Sequence, residues 1–251
     1  MPQLQRLTIL DGQRSGSQIQ LTESQRHYLG RVLRLREGEQ FIAMNGQGQA
    51  WLATLQSNPA TAELLHAVDL QTELPIALTL LMALPKTGMD DVVRQATEIG
   101  VTAIQPILSQ RTLLQPSPQK LDRWRRIAQE AAEQSERQFI PEILEPQSWQ
   151  DALQTWNSHE SRCYFCEARG TPPPLLTCLL SDRTALETAS SLIVAIGPEG
   201  GWTEEELQQA VAAGYQPVSL GARILRSVTA PLVALALVAA TIESQRNGKD
   251  L

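Results

Sequence analysis

After about residue 73 the chain alternates short apolar runs with amphipathic ones, and that alternation most restricts its fold. Residues 76–84 are a buried-strand run, and residues 103–108, 162–166, 191–196 and 216–220 are further expected strands. Between them, residues 90–99 place Val93, Ala96 and Ile99 at helical spacing. Residues 121–137, 149–156, 204–213 and 232–244 are further expected helices. Strands alternating with helices imply a parallel sheet covered on both faces. Ligands of such sheets sit in loops beyond the carboxyl ends of the strands.

The first 72 residues differ. Residues 40–44 and 50–55 are expected strands, and Asn45-Gly46-Gln47-Gly48 between them is a hairpin signal. One helix interrupts the strands. Thr22 with Gln25 has the spacing of a capping box, and Leu29, Val32 and Leu33 supply an apolar stripe. The expectation is a small β-barrel with one helix over residues 1–72, followed by an α/β domain over residues 73–251.

Charge sharpens this division. The chain of 251 residues carries a net charge of −6, which disfavours sequence-blind nucleic-acid binding by its whole surface. Residues 1–70 hold six basic and six acidic side chains, and Arg26, Arg31, Arg34 and Arg36 follow one another without an acid between them. Such a patch suits a selective RNA partner or a solvated helix face. No apolar run reaches the roughly 20 residues of a membrane span. The start, Met1-Pro2-Gln3-Leu4-Gln5-Arg6, lacks a signal-peptide pattern, and three cysteines build no disulfide framework, so a cytoplasmic location is expected. Cys163 and Cys166 face opposite sides of a strand, and His27, His66 and His159 are scattered, so no metal site is expected.

Two loops carry the chemistry. Gly197-Pro198-Glu199-Gly200-Gly201 follows an apolar strand and precedes a helix. Its glycines let backbone approach a ligand closely. A glycine loop before a helix usually suggests phosphate. Here the helix opens Thr203-Glu204-Glu205-Glu206, which caps itself and repels phosphate, so a neutral or cationic ligand is expected. The second loop, residues 220–231, contains Gly221, Arg223 and Arg226, with Thr229 and Pro231 opening a helix apolar on all sides. Such a helix must be buried or pack against another subunit. Arg226 is placed to hold RNA phosphate or an anionic base, or to make a surface ion pair.

Together these blocks resemble the ribosomal RNA small subunit methyltransferase E family, trefoil-knotted enzymes that methylate N3 of a uridine in small-subunit (16S) rRNA. The resemblance runs through His27-Tyr28-Leu29, Val32-Leu33-Arg34, Lys86, Gln95 to Val101, Ser109-Gln110-Arg111, Glu130 to Ser135 with Arg137 and Pro141, and most specifically the two loops above. It implies a PUA-like RNA-binding barrel and a knotted (SPOUT-like) α/β domain that binds S-adenosylmethionine. Three loops would hold that cofactor, through Glu167, then Ile196, Gly197, Pro198, Glu199, Gly200 and Gly201, then Leu220, Gly221, Ile224, Leu225 and Arg226. Arg226 is the expected catalytic residue. Arg6, Arg31, Arg34 and Arg111 are the expected RNA contacts. The implied partners are small-subunit rRNA or the assembled small subunit, and a second copy of the chain through the knotted domain, with no membrane. Val228 stands where the family usually has Glu. Methylation of a ribose 2′-hydroxyl, and a non-catalytic RNA-binding role, stay open on the residues alone.

Overall fold

The computed structural model describes residues 4–113, 115–156 and 160–247. Met1, Pro2, Gln3 and His159, read above for a leader and for metal ligation, lie outside the described residues. The chain forms two compact units, residues 1–73 with 129–140, and residues 74–128 with 141–251. The sequence-based boundary after residue 72 makes no provision for residues 129–140.

The first unit holds β1 (Arg6–Thr8), β2 (Arg14–Ser15), β3 (Gln18–Gln20), α1 (Glu23–His27), β4 (Gln40–Met44), β5 (Ala50–Leu55) and β6 (Thr61–Val68). They form one sheet in the order β1-β4-β5-β6-β3-β2, parallel at β1–β4 and antiparallel elsewhere. Leu7 of β1, at one end of this order, and Ile19 of β3, one strand from the other end, share one core with Phe41, Ala53 and Ala62. The sheet therefore curls around its apolar face, as the expected barrel requires. Thr22 caps α1 as expected: its hydroxyl accepts from Gln25 N–H, and the Gln25 side chain accepts from Thr22 N–H.

After α1 the chain makes a π-helical turn at Tyr28–Val32. Leu29 is buried and Leu33 half-buried, but Val32 is 57% exposed, so the expected apolar stripe loses one member. The wider turn rotates Val32 away from the core that a regular helix would let it reach.

In the second unit every strand pair is parallel. The strands are β7 (Ala77–Ala83), β8 (Ala103–Leu108), β9 (Glu142–Ile143), β10 (Gln147–Ser148), β11 (Ser161–Cys166), β12 (Ser191–Ile196) and β13 (Gln216–Val218). Their order is β10-β8-β7-β12-β11-β13, with β9 also on β8. The helices are α2 (Met89–Ile99), α3 (Pro118–Gln134), whose residues from 129 on belong to the first unit, α4 (Trp149–Thr155), α5 (Leu175–Ser181), α6 (Arg183–Thr188), α7 (Glu204–Ala212) and α8 (Ala230–Asn247). Helix α3 ends three residues before the expected Arg137, closing through a left-handed Glu136 at φ 64°. Helices α5 and α6 were not anticipated.

The middle strands β7, β12 and β11 are buried on both faces over their carboxyl halves: Leu80, Leu81, Met82, Val194, Ala195 and Phe165 are at most 1% exposed. No helix among the described residues is long and apolar enough to cross a membrane.

Candidate functional site

The parallel register decides where the functional loops meet. Met82, Ile196, Cys166 and Val218 lie side by side at the carboxyl ends of β7, β12, β11 and β13. The loops leaving these strands therefore emerge from one edge of the sheet. They enclose a cavity of about 830 Å³, within the range of roughly 300 to 1,000 Å³ typical of small-molecule sites.

All twelve residues expected to hold the cofactor line this cavity: Glu167 from the loop after β11, residues 196–201 from the loop after β12, and Leu220, Gly221, Ile224, Leu225 and Arg226 from the loop after β13. The last loop is anchored where Arg226 C=O accepts from Thr229 and Ala230 N–H at the start of α8. The Arg226 side chain remains exposed. Val228 contributes an apolar wall, and its Cγ1 would lie 2.8 Å from a Cβ at Gly88.

The glycine loop is held by an aromatic stack. Trp202 lies 4.8 Å from Phe165 and 4.6 Å from Trp149, ring centre to ring centre. Its indole N–H donates to Cys166 C=O at 3.2 Å, joining this loop to the end of β11. A Cβ at Gly197 would sit 2.9 Å from that indole nitrogen, closer than side chains tolerate. Gly201, at φ 71°, closes the turn by donating to Pro198 C=O. Glu199 accepts from Lys86 N–H at 2.8 Å, tying in the segment after β7.

The helix that follows satisfies its own start. Thr203 and Glu206 form the expected capping box. Glu206 is 1% exposed, and its carboxylate also accepts from Gln110 N–H at 2.8 Å. These amides are closed to a phosphate, and Glu204 beside them adds negative charge to the cavity wall. The site fits a ligand without phosphate: backbone from glycines on one side, carboxylates near a cationic group, and apolar walls at Val228 and Ile224.

The expected RNA contacts divide. Arg31 and Arg34 are exposed, as are Arg26 and Arg36. Arg34 adopts a left-handed φ of 59°, where Leu35 N–H reaches back to Leu29 C=O and ends the helical turn. Arg6 must be corrected. Its side chain is 6% exposed and its guanidinium lies 2.9 Å from Glu136 Oε1, so it cannot meet a phosphate outside. Nothing local in the sequence announces a partner 130 residues away. Arg111 lines the cavity, but its guanidinium donates to Gly200 and Trp202 C=O at 2.6 and 3.2 Å. It braces the glycine loop.

Sequence reasoning passed over Thr87, Arg169 and Trp202 and gave Arg223 no role, and all four line the cavity. Only Trp202 carried a signal, as a large aromatic ending a glycine loop. Burial pushes the thiols of Cys163 and Cys166 up to about 11 and about 12, which keeps them protonated. Among the described residues no cluster of three or more His, Cys, Asp or Glu is placed to hold a metal ion.

Comparison with known proteins adds independent observations. A family described as "RNA methyltransferase domain" matches residues 72–239, and "RNA methyltransferase PUA domain" matches residues 21–65. A Synechocystis protein named Ribosomal RNA small subunit methyltransferase E is 45% identical over 95% of this chain and 78% of its own length. The Bacillus subtilis protein of the same name is 30% identical, covering 90% of this chain and 91% of that one. A Neisseria gonorrhoeae crystal structure bearing that name, bound to S-adenosyl methionine, superposes with a TM-score of 0.83 at 32% identity, covering 95% and 98%.

Proposed function

The chain belongs to the ribosomal RNA small subunit methyltransferase E family, and from that premise we propose that it methylates N3 of a uridine in small-subunit rRNA. It is an S-adenosylmethionine-dependent RNA methyltransferase. The observation that carries the site assignment is the convergence of the loops after β11, β12 and β13 on one cavity of about 830 Å³.

S-adenosylmethionine supplies a methyl carbon activated by a positive sulfonium. The chain's own work is to orient and to stabilise charge. The backbone of residues 196–201, with Leu220, Gly221, Ile224 and Leu225, would hold the cofactor, and Glu167 adds a carboxylate for its polar end. Holding two reactants in register removes much of the entropic barrier to an in-line displacement.

Uracil N3 carries a proton at neutral pH. Arg226, exposed at the cavity, would stabilise the negative charge that develops on the base as its N3 proton passes to solvent water. Val228 offers no acid or base there. The N3 edge is occupied in a base pair, so the target nucleotide must be unpaired or turned outward. Arg31 and Arg34 in the first unit are free of any ion pair among the described residues, which supports their holding neighbouring phosphates.

We also propose that the segment after β13 is threaded as a trefoil knot and that the enzyme is a cytoplasmic homodimer. Ser219 N–H donates to Pro173 C=O in the loop that follows β11, and Ser219 C=O accepts from Leu175 N–H at the start of α5, before the chain runs on to α8 against α5 and α2. That course supports the knot.

The test is methyl transfer from labelled S-adenosylmethionine to unmodified small subunits and to naked rRNA, followed by digestion to nucleosides. Label in 3-methyluridine is expected. Label in a 2′-O-methyl nucleoside, or none despite cofactor binding, would overturn the reading.

A further inference from the structure

Two of the loops around the cavity bring arginines to it. Arg169, in the loop after β11, and Arg223, in the loop after β13, line it together with Arg226. All three side chains are exposed, and none takes part in an ion pair among the described residues. Arg223 folds back over its own loop, its Nη2 3.9 Å from where a Cβ would stand on Gly221. Arg169 is held by its backbone N–H, which donates to Glu167 Oε1 at 2.7 Å.

S-adenosylmethionine has one carboxylate, one ammonium and one sulfonium, and no phosphate. With Arg226 assigned to the reacting base, Arg169 and Arg223 still reach the cavity without an ion pair among the described residues, although Glu167, Glu199 and Glu204 line it too. The acidic start of α7, with Glu204 at the wall and Glu206 closing the cap, cannot receive an anion. Phosphate is disfavoured at the start of α7, so the arginines of the loops after β11 and β13 are the groups left to meet it. A planar guanidinium matches the paired oxygens of a phosphodiester, and two of them on separate loops can grip phosphates on either side of one nucleotide.

We propose that Arg169 and Arg223 form a two-loop clamp for the RNA phosphates flanking the nucleotide whose base enters the cavity. The clamp rests on the reading of the chain as an RNA methyltransferase. It gives the second unit its own RNA contact, separate from Arg31 and Arg34.

The experiment compares the parent, the Arg169→Gln/Arg223→Gln double variant and an Arg183→Gln control, whose exposed arginine sits on α6 away from the cavity. Methyl transfer to small subunits is measured against RNA concentration at several salt concentrations, with cofactor binding measured separately. For the double variant, KM for RNA should rise about tenfold and the logarithmic salt slope of RNA binding should fall by roughly 1 to 2. The kcat at saturating RNA and the cofactor Kd should stay at the parent's values, and Arg183→Gln should match the parent throughout. An active double variant with the parent's KM and salt slope overturns the clamp, as does one that has lost cofactor affinity instead. If the parent transfers no methyl group, the methyltransferase reading fails on its own. The salt dependence of RNA binding by parent and double variant then still decides the clamp.

Discussion

Single side chains do sharply different work in this protein, and burial separates them better than residue type. Arg6 is buried against Glu136, Arg111 donates to two carbonyls of the glycine loop, and Arg226 faces the cavity with its guanidinium exposed. Only the last can answer a charge that appears during reaction. Replacing Arg226 with Ala should lower kcat by roughly 100-fold, the scale of one lost donor to a developing anion. Cofactor should still bind in calorimetry, because backbone from the other loops remains. Unchanged turnover would remove Arg226 from the chemistry. Glu206 is the opposite case: an acidic residue that is 1% exposed because its carboxylate serves the cap of α7 and the Gln110 N–H.

At the scale of elements, the glycine loop is shaped by the aromatic stack behind it. Trp202 is pinned by Phe165, Trp149 and the Cys166 carbonyl, so it cannot yield to a methyl group on Gly197. Overpacking a buried contact costs about 1 to 3 kcal/mol. Gly197→Ala should move that strain into the loop and weaken cofactor binding by about tenfold or more, at roughly 1.4 kcal/mol per factor of ten. Equilibrium binding of S-adenosylmethionine measures this. An unaltered Kd would mean that the loop backbone does not hold the cofactor. Gly88 meets Val228 in the same way, so the first turn of α2 and the segment before α8 constrain one another.

For the whole molecule, α8 raises the question of what covers it. Ala234, Leu235 and Val238 are fully buried, while Leu232, Val233 and Leu237 are half-exposed. On α5, Leu176 and Leu180, four residues apart, are 42% and 55% exposed. Apolar surface on two neighbouring helices suits a second copy of the chain. Sedimentation at micromolar concentration should give twice the 27.7 kDa chain mass. A Leu180→Glu/Leu237→Glu variant should sediment as a monomer. A monomeric parent would refute the dimer.

Periodicity alone determined the α/β class of the second unit, because a strand covered on both faces must be apolar throughout and a helix covered on one face need not be. Strands 103–108 and 191–196 came out at their expected limits, and the capping boxes at Thr22 and Thr203 were legible because both partners lie within four residues. Loop chemistry was legible for the same reason: glycines and a self-capped acidic helix start are local facts. Tertiary structure decided what depends on partners far apart in the chain. It buried Arg6 on Glu136 and spent Arg111 on the glycine loop. It grouped residues 129–140 with the first unit, where Arg137 pairs with Glu73 at 2.7 Å. It also brought Arg169 and Arg223, separated by 53 intervening residues, to one cavity. Sequence distance carries no record of such meetings, because the register of parallel strands, set by packing across the sheet, chooses which loops become neighbours.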